Sequence, residues 1–327
     1  MKICTITCSN TDNHGARLQT YALVKYLQEK GNVVLVIDYR PPYMDPSFRV
    51  FYWPGFSIKE WAKFFLRFPQ RILSKKRHKN FIVFSEKHIP LTNKIYHNVQ
   101  ELRDNPPDAD LYIAGSDQIW NTFFPNGTDP AFYLDFGPNT IRRESYAASF
   151  ATTQLKSGTE GFVRTNLSRF DKISVREESG LTILEQLGIR NGVREDDPVF
   201  LLSAEKWEKL ADGTGEGEHY LLVYDFFSDT ALKQQAKSVA RSRNLRIFAV
   251  CPSKQHYADK NFTTAGPETF VSLVKNAALV VTNSYHGIAF CSIFQQEFLF
   301  VPRPDGLNER IEDLMKRIPK CPPSSVL

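Results

Sequence analysis

One histidine in the sequence stands where proton chemistry is favoured. His286 belongs to a polar run, 282–287, between two apolar segments, 277–281 and 288–294. The first segment predicts a buried strand and the second a helix. The run would then lie at the carboxyl end of a strand, where open α/β sheets bind ligands, beside a helix N-terminus that favours anions. A histidine in water has a pKa of about 6.5, so we predict His286 as a general acid or base. The alternative is a histidine that only caps the helix.

Polar clusters follow four other predicted strands: Asn13-His14-Gly15, Asp38-Tyr39-Arg40, Ser116-Asp117-Gln118 and Arg176-Glu177. Parallel strands place their carboxyl ends at one edge of a sheet, so the clusters of one domain share an edge. Polar residues that recur at such an edge indicate an enzyme.

The residue types in these clusters allow specific roles, each with a structural alternative. Arg176 ends a buried run, where it could bind a phosphate or carboxylate or pair with a neighbouring glutamate. Asp117 could orient a sugar hydroxyl, act as a base or cap a helix. Residues 13–15 open a helix and could hold an anion or cap it. Tyr285 could stack on a sugar face or pack in the core.

Length and composition limit the classes of function that the chain can have. The chain has 327 residues, enough for two domains, and its net charge of +5 permits anionic substrates without requiring nucleic acid. We find no signal peptide and no transmembrane span, and the five cysteines show neither disulfide nor zinc spacing. We expect a cytoplasmic protein that binds no metal, no cofactor and no nucleic acid. The inner face of the membrane is the alternative location.

The elements needed to position the clusters alternate between strands and helices. Strand, helix and strand occupy about the first 40 residues, which predicts a parallel sheet, but the connecting loop is not a dinucleotide fingerprint. Residues 132–136 predict a further strand. A second alternation begins with a predicted strand at 220–224, and the last predicted helix covers 309–317. We predict an α/β fold of two Rossmann-like domains, 1–190 and 191–327, that face a central cleft.

Residues 41–100 interrupt the alternation in the N-terminal domain. Aromatic and basic residues are interleaved between positions 51 and 71, and the charged run 75–79 follows. Such a segment can lie on an anionic membrane surface. The alternative is an inserted helix that packs its aromatic face on the domain and leaves its charges in water.

Five motifs in this order resemble the polysaccharide pyruvyltransferase family over nearly the whole chain. They begin at Asn13 (NHGA-x-LQ-x-YAL), Gly115 (GSDQIWN), Ser174 (SVRE), Asp197 (DPVFLL) and Ser284 (SYHG). The resemblance is weakest over 41–100 and at the C-terminal tail.

The resemblance implies a fold similar to two-domain (GT-B-type) glycosyltransferases. It also implies transfer of a pyruvyl group from phosphoenolpyruvate to two hydroxyls of a sugar, as a cyclic ketal on a surface polysaccharide or a lipid-linked precursor. By resemblance His286 is the catalytic histidine and Arg176 binds phosphoenolpyruvate. Better-characterised members carry Arg where this chain has Ser284, so either another cation replaces it (Arg310, Arg303 or Arg40) or the donor differs.

The remaining predicted roles follow from this hypothesis. His286 or Asp117 would relay protons, and the predicted substrate-binding residues are Arg176, Asn13, His14, Gly15, Ser116, Gln118, Glu268, Asn283, Ser284, Tyr285, Gly287 and Arg310. Two other functions stay open. A nucleotide-sugar glycosyltransferase would hold a ribose through Glu268 and a diphosphate near Ser284, and a non-catalytic module would bind carbohydrate or a membrane through 51–79.

Overall fold

The computed structural model describes residues 1–44, 58–226, 228–303 and 308–318, with the backbone alone for 58–71. Grouped by their contacts, the described residues form two compact units. The first unit contains 1–44 and 85–202, and the second contains 58–84 and the described residues from 203 onward. The sequence-based division at residue 190, with 41–100 in the N-terminal domain, and the cleft stay predictions.

The first unit is built on a five-stranded parallel sheet of order β3-β2-β1-β4-β5. Its strands are β1 (Lys2–Ile6), β2 (Val33–Tyr39), β3 (Leu91–Tyr96), β4 (Leu111–Ala114) and β5 (Arg142–Ser145). β1 and β4 are consecutive in space but not in sequence, so the strand order reverses between them. A short pair, β6 (Ser174–Val175) and β7 (Val193–Arg194), continues from the end of β5 through bridges such as Ala148 to Val175.

The second unit repeats this order with β10-β9-β8-β11-β12, again all parallel. Its strands are β8 (Tyr220–Tyr224), β9 (Arg246–Val250), β10 (Lys260–Asn261), β11 (Leu279–Thr282) and β12 (Phe298–Phe300). Two parallel sheets wound in the same order confirm the prediction of an α/β fold with two Rossmann-like halves.

Ten α-helices connect the strands in the described part of the chain. They are α1 (His14–Glu29), α2 (Ile58–His88), α3 (Val99–Asp104), α4 (Glu160–Leu167), α5 (Glu178–Gln186), α6 (Ala204–Glu208), α7 (Thr230–Ser242), α8 (Pro267–Lys275), α9 (Tyr285–Phe294) and α10 (Glu309–Arg317). Several begin where a side-chain oxygen accepts a backbone N–H of the first turn. Asn13 caps α1, Asp229 caps α7 and Ser284 caps α9.

Helix α2 has contacts in each unit. In its central part the side chain of Asn80 donates to the carbonyl of Thr264 at 2.6 Å, within the second unit. In its last turn Ser85 accepts a hydrogen bond from the buried Arg17 of α1, and His88 lies edge-on to Tyr21, within the first unit. Residues 51–57 of the predicted membrane-binding segment lie outside the described residues.

Aromatic packing holds the core of the first unit around Trp120. Its indole is fully buried, stacks on Tyr133 with centroids 5.7 Å apart and donates to the carbonyl of Phe132 at 3.1 Å. In the second unit, Tyr224 packs on Phe270, and Phe270 lies edge-on to Phe290 of α9. Both packed groups lie beside strands that carry predicted site residues.

Two sequence-based predictions of local structure are wrong. Residues 132–136 are not a strand, because Asp129 and Pro130 start a short 3-10 helix over Pro130–Tyr133 and Leu134 then turns with a φ of 56°. Local turn chemistry prevails there over the apolar pattern. Helix α9 begins at Tyr285 and not at 288, so His286 lies inside its first turn. β3 was missed altogether.

None of the helices in the described part of the chain is long and apolar enough to span a membrane.

Candidate active site

The turn between β11 and α9 is fixed by hydrogen bonds from the end of the strand. Thr282 donates through Oγ1 to the carbonyl of Tyr224 at 2.7 Å and accepts the backbone N–H of Ser284 at 3.0 Å. The Oγ of Ser284 accepts the backbone N–H of Gly287 at 3.5 Å. The sequence Thr-x-Ser thus ends the strand and starts the helix within three residues, which sets the position of the side chains that follow.

Gly287 allows α9 to approach the sheet closely. A Cβ on residue 287 would lie 2.8 Å from Oγ1 of Thr282 and 3.1 Å from the ring of Tyr224. The oxygen of Thr282 cannot move away without breaking its two hydrogen bonds. The glycine is therefore required by packing at this point, and its predicted role in binding substrate stays a prediction.

His286 is the second residue of α9 and is partly exposed. Its ring lies edge-on to the ring of the buried Tyr285, with centroids 5.2 Å apart and an interplanar angle of 77°. The helix N-terminus beside it favours a bound anion. A partly exposed imidazole at such a position can exchange a proton with an anionic substrate.

A buried carboxylate lies next to this turn, at the end of the neighbouring strand β8. Asp225 accepts the side-chain amide of Asn283 at 3.2 Å and the backbone N–H of Asp229 at 2.7 Å. Asp225 was not predicted as a site residue, although it directly follows the predicted strand Tyr220–Tyr224, and a position after a strand is the signal that selected the other polar clusters. Among the described residues, Oδ1 of Asn283 is buried and has no hydrogen-bond partner.

In the first unit, Arg176 is enclosed by two carboxylates. Its Nη1 donates to Oδ2 of Asp197 at 2.6 Å, and its Nε lies 3.8 Å from Oε2 of Glu177. All three side chains are at most 3% exposed. The predicted ion pair with Glu177 is therefore present at long range, while the close partner, Asp197, was not expected. One guanidinium faces two carboxylates here.

Hydrogen bonds connect Glu177 to Asp117 through Ser149. Ser149 donates through Oγ to Oε1 of Glu177 at 2.8 Å, and its backbone N–H donates to the carbonyl of Asp117 at 2.9 Å. Oε1 of Glu177 also accepts the backbone N–H of Ala151 at 2.8 Å. The structure thus brings Asp117 and Arg176 to the same edge of the first unit, as their positions after strands predicted.

Asp117 has a φ of 83°, a left-handed conformation that non-glycine residues seldom adopt. Its Oδ1 accepts the backbone N–H of Gln118 at 2.8 Å, and no α-helix begins there. The alternative that Asp117 caps a helix is therefore wrong. An uncommon backbone conformation at a strand end is compatible with a functional residue, and also with a turn residue that Asp and Asn tolerate.

The other predicted residues of the first unit surround the N-terminus of α1. Asn13 caps the helix, with Oδ1 accepting the N–H of Ala16 at 3.2 Å, while His14 and Gly15 are buried. Thr7, just beyond β1, donates through Oγ1 to the carbonyl of Ser116 at 2.5 Å and accepts from Gln19 of α1 at 3.2 Å. Residues 13–15 and 116–118 therefore lie where the strand order reverses.

Three arginines were predicted to replace the arginine that this chain lacks at position 284, and their surroundings differ. Arg40 is bound bidentately by Asp38, with both distances 2.7 Å. The backbone of Arg303 is held by Asn308, and Arg310 is a partly exposed residue in the first turn of α10, a helix that packs on α9. Glu268 is partly exposed in the first turn of α8, which also packs on α9.

A cavity of about 570 Å³ lies at the opposite edge of the first sheet. Its lining residues flank the amino ends of β4 and β5 and include Arg103, Asp135, Arg143 and Arg169; none of them is a predicted site residue. Within the described ranges, no three His, Cys, Asp or Glu side chains form a candidate metal-binding group.

Comparisons with known proteins give one match over most of the chain. The family model described as polysaccharide pyruvyl transferase matches residues 13–304. No protein in the curated set that was compared matches the chain.

Solved structures are similar only at a low level. The UDP-GlcNAc 2-epimerase of Methanocaldococcus jannaschii is 12% identical, with a TM-score of 0.47, and the match covers 98% of this chain and 94% of that one. The Neisseria meningitidis UDP-GlcNAc 2-epimerase bound to UDP-GlcNAc is 12% identical, with a TM-score of 0.47, and the match covers 97% of this chain and 91% of that one. The E. coli heptosyltransferase WaaC is 11% identical, with a TM-score of 0.40, and the match covers 97% of this chain and 99% of that one. Similarities this low establish neither a shared function nor a shared substrate.

Proposed function

The chain belongs to the polysaccharide pyruvyl transferase family, and we propose that it transfers a pyruvyl group from phosphoenolpyruvate to two hydroxyls of a sugar. The family is a transferase family, and its model covers residues 13–304, including every motif from Asn13 to His286. The proposed product is a cyclic ketal on a surface polysaccharide or its lipid-linked precursor, and inorganic phosphate is released.

The chemistry requires two additions at one carbon. The first sugar hydroxyl adds to C2 of the enolpyruvyl group while C3 gains a proton and becomes a methyl group. The second hydroxyl then attacks C2, the C2–O bond to phosphate breaks, and the proton of that hydroxyl leaves with the phosphate. Each step moves one proton, so a side chain that alternates between acid and base assists both.

His286 is the residue that we assign to this proton transfer. The observation that carries the proposal is its position: a partly exposed imidazole in the first turn of α9, at the carboxyl end of a parallel strand. The helix N-terminus would bind the phosphate, and Ser284 takes part in that turn as the cap. An imidazole next to the bound phosphate would reach both the leaving group and the attacking hydroxyl.

The roles of Arg176 and Asp117 stay separate hypotheses. Asp197 and Glu177 hold the guanidinium of Arg176 in one orientation, which favours bidentate recognition of a phosphate or carboxylate. The same two carboxylates also repel an anion. Binding of phosphoenolpyruvate by the Arg176→Gln variant therefore decides whether Arg176 contacts the donor.

A phosphate-release assay tests the proposed function. Protein is incubated with phosphoenolpyruvate and a panel of galactosyl, mannosyl and N-acetylhexosaminyl acceptors, and phosphate and ketal are measured. We expect acceptor-dependent release of phosphate, with ketal formed in equal amount. Protection from thermal unfolding by a uridine nucleotide but not by phosphoenolpyruvate would favour a glycosyltransferase instead. Sugar or vesicle binding with no donor consumed would favour a binding module.

A further inference from the structure

The cavity at the amino edge of the first sheet contains more positive charge than its carboxylate compensates. Three guanidinium groups line it, those of Arg103, Arg143 and Arg169, together with one carboxylate, that of Asp135. Two positive charges of the lining residues are therefore left without a counter-charge. The volume of about 570 Å³ lies in the range of about 300–1,000 Å³ that is usual for small-molecule sites.

Asp135 holds two of these arginines in place. Its Oδ2 accepts Nη2 of Arg103, whose Nε donates to the backbone carbonyl of Asp135 at 3.1 Å. Its Oδ1 accepts Nη1 of Arg169. Both carboxylate oxygens are thus occupied. Nη1 of Arg103 and Nε and Nη2 of Arg169 find no acceptor among the described residues.

These N–H groups are accessible to a ligand. The side chains of Arg103 and Arg169 are 40% and 41% exposed, although Asp135 fixes one side of each guanidinium. Arg103 lies in the last turn of α3, and Arg169 follows the end of α4. The two groups therefore come from different elements and are oriented by one shared carboxylate.

Arg143 shapes the wall of the cavity. Its Nη2 donates to the backbone carbonyls of Phe136 at 2.8 Å and Pro138 at 3.2 Å, and its side chain is buried. Between them Gly137 has a φ of 72°, and a Cβ there would lie 2.8 Å from the ring of Tyr112. The loop is therefore fixed in shape by contacts within the protein.

The charge of Arg143 adds to that of the other two arginines. Burial lowers the pKa of Arg143, and the positive charge of Arg169 lowers it further. An arginine nevertheless keeps its proton in a protein, so both groups remain cations. Asp171 accepts the backbone N–H of Arg143 at 2.8 Å but does not line the cavity.

This arrangement suits a phosphate monoester. A guanidinium donates two parallel hydrogen bonds to a phosphate, and a phosphate monoester carries a charge of about −1.5 to −2 at neutral pH. That charge matches the excess on the lining residues. The cavity also has room for an organic group beside the phosphate, where Pro106 and Pro138 offer apolar contact and the amide of Asn139 can bind a hydroxyl.

From these observations we propose that the cavity binds a phosphorylated small molecule, whose phosphate accepts hydrogen bonds from Arg103 and Arg169. It is a second site, distinct from the candidate active site. Residues 116–118 follow the carboxyl end of β4, whereas the cavity lies at its amino end, and the four residues of this strand span about 13 Å. The inference depends neither on phosphoenolpyruvate nor on the proposed reaction.

The alternative is an ion-pair network that only fastens α3 and the segment after α4 to Asp135. Exposed ion pairs contribute little to stability, so variants of Arg103 and Arg169 should fold. Ligand affinity therefore separates the two roles, because a network without a ligand gives no binding to lose.

The test is calorimetric titration of four variants. Glucose 6-phosphate, adenosine 5′-monophosphate, inorganic phosphate, glucose and adenosine are titrated into the wild type, Arg103→Gln, Arg169→Gln, Arg169→Lys and Arg164→Gln. Arg164 is an exposed arginine of α4 that does not line the cavity, so its variant removes one positive charge outside the site. Melting curves without ligand show whether each variant is folded.

We expect the wild type to bind at least one of the two phosphate esters more tightly than inorganic phosphate, and to bind neither glucose nor adenosine. Arg103→Gln and Arg169→Gln should each weaken that ester about ten- to a hundred-fold, since each removes a hydrogen bond from a charged group. Arg169→Lys keeps the charge but loses the planar fork, so it should weaken binding less. Arg164→Gln should change the affinity hardly at all.

Four results would overturn the inference: a wild type that binds neither ester, equal affinity for an ester and its unphosphorylated counterpart, unchanged affinity in both glutamine variants, or an equal loss in Arg164→Gln. If one glutamine variant fails to fold, the other decides, because Arg103 and Arg169 belong to different elements. The proposed function is tested independently by phosphate release from phosphoenolpyruvate, so either can fail without the other.

Discussion

Arg176 and Asp197 form a buried ion pair, with Nη1 and Oδ2 2.6 Å apart and each side chain at most 1% exposed. The two residues are 21 positions apart in sequence. Asp197 also accepts the backbone N–H of Val199 through Oδ1, at the start of the short helix Pro198–Leu201. The pair therefore joins the end of β6 to the segment at which the first unit ends.

Removing the charge of Asp197 should destabilise the first unit strongly. Asp197→Asn removes the close counter-charge of the buried Arg176 guanidinium and leaves Glu177 at 3.8 Å. Loss of one partner of a buried pair costs about 3–5 kcal/mol. We expect a decrease of this size in the free energy of unfolding measured with urea. Asp196→Asn is the control, because Asp196 is exposed. A change below 1 kcal/mol in Asp197→Asn would contradict the importance of the pair.

Replacing His286 should affect turnover and not binding. His286→Ala removes the proposed acid and base, and such groups contribute about 10²–10⁴-fold to rate. We therefore expect kcat to fall by that factor in the phosphate-release assay, with phosphoenolpyruvate affinity nearly unchanged. His256→Ala is the control, since His256 is an exposed histidine of the same unit. Normal turnover by His286→Ala would refute the assignment.

Asp117 allows its structural and chemical roles to be separated. Asn and Gly both tolerate the φ of 83° at this position, so Asp117→Asn and Asp117→Gly should change the unfolding free energy by no more than about 1 kcal/mol. If the carboxylate relays a proton, kcat should fall about 100-fold or more in both variants. Wild-type kcat in Asp117→Asn would show that the residue serves the turn alone.

Gly287 should not tolerate a methyl group. In Gly287→Ala the new Cβ would lie 2.8 Å from Oγ1 of Thr282, and overpacking of this kind costs about 1–3 kcal/mol. We expect a lower melting temperature and, because α9 must shift, a lower kcat. Gly161→Ala in α4 is the control with the opposite sign: no atom lies within 4 Å of its Cβ, so the helix should gain about 0.5–1 kcal/mol. A fully stable Gly287→Ala would show that α9 can move without cost.

Two cysteines should resist alkylation in the folded protein. Burial raises the pKa of Cys4 to about 11 and that of Cys251 to about 12, so at pH 8 both remain neutral thiols, and only the thiolate reacts. We expect iodoacetamide to modify both about a hundred-fold or more slowly than in urea, as followed by peptide mass spectrometry. The folded-state rate should rise only as the pH approaches these values. Equal rates in the two conditions would contradict the burial of these thiols.

Much of the fold could be predicted because the strands are buried on both faces and the helices are amphipathic. Tyr220–Tyr224 and Glu309–Arg317 have the predicted bounds. The strand predicted at 132–136 failed because Asp129 and Pro130 impose a turn that an apolar pattern does not reveal. β3 was missed because its sequence, LTNKIY, has three exposed positions and belongs to an edge strand.

The candidate site was predictable where residues directly follow strands. His286, Asp117 and Arg176 were found by that signal, and it would also have found Asp225. Two contacts were not predictable: the ion pair of Arg176 with Asp197, and the packing of Arg77 on Phe226. Each of them joins segments far apart in sequence. Neither spacing nor periodicity within one segment carries such information.

The bond from Asn80 to Thr264 spans 184 residues and has a consequence for synthesis. When α2 leaves the ribosome, the part of the chain that accepts it has not yet been translated. At about 5–20 residues per second, the helix waits about 10–40 s for Thr264. During this interval Arg77 lacks the ring of Phe226, on which its guanidinium packs in the finished protein. This helix is therefore a segment that a chaperone could bind before the second sheet exists.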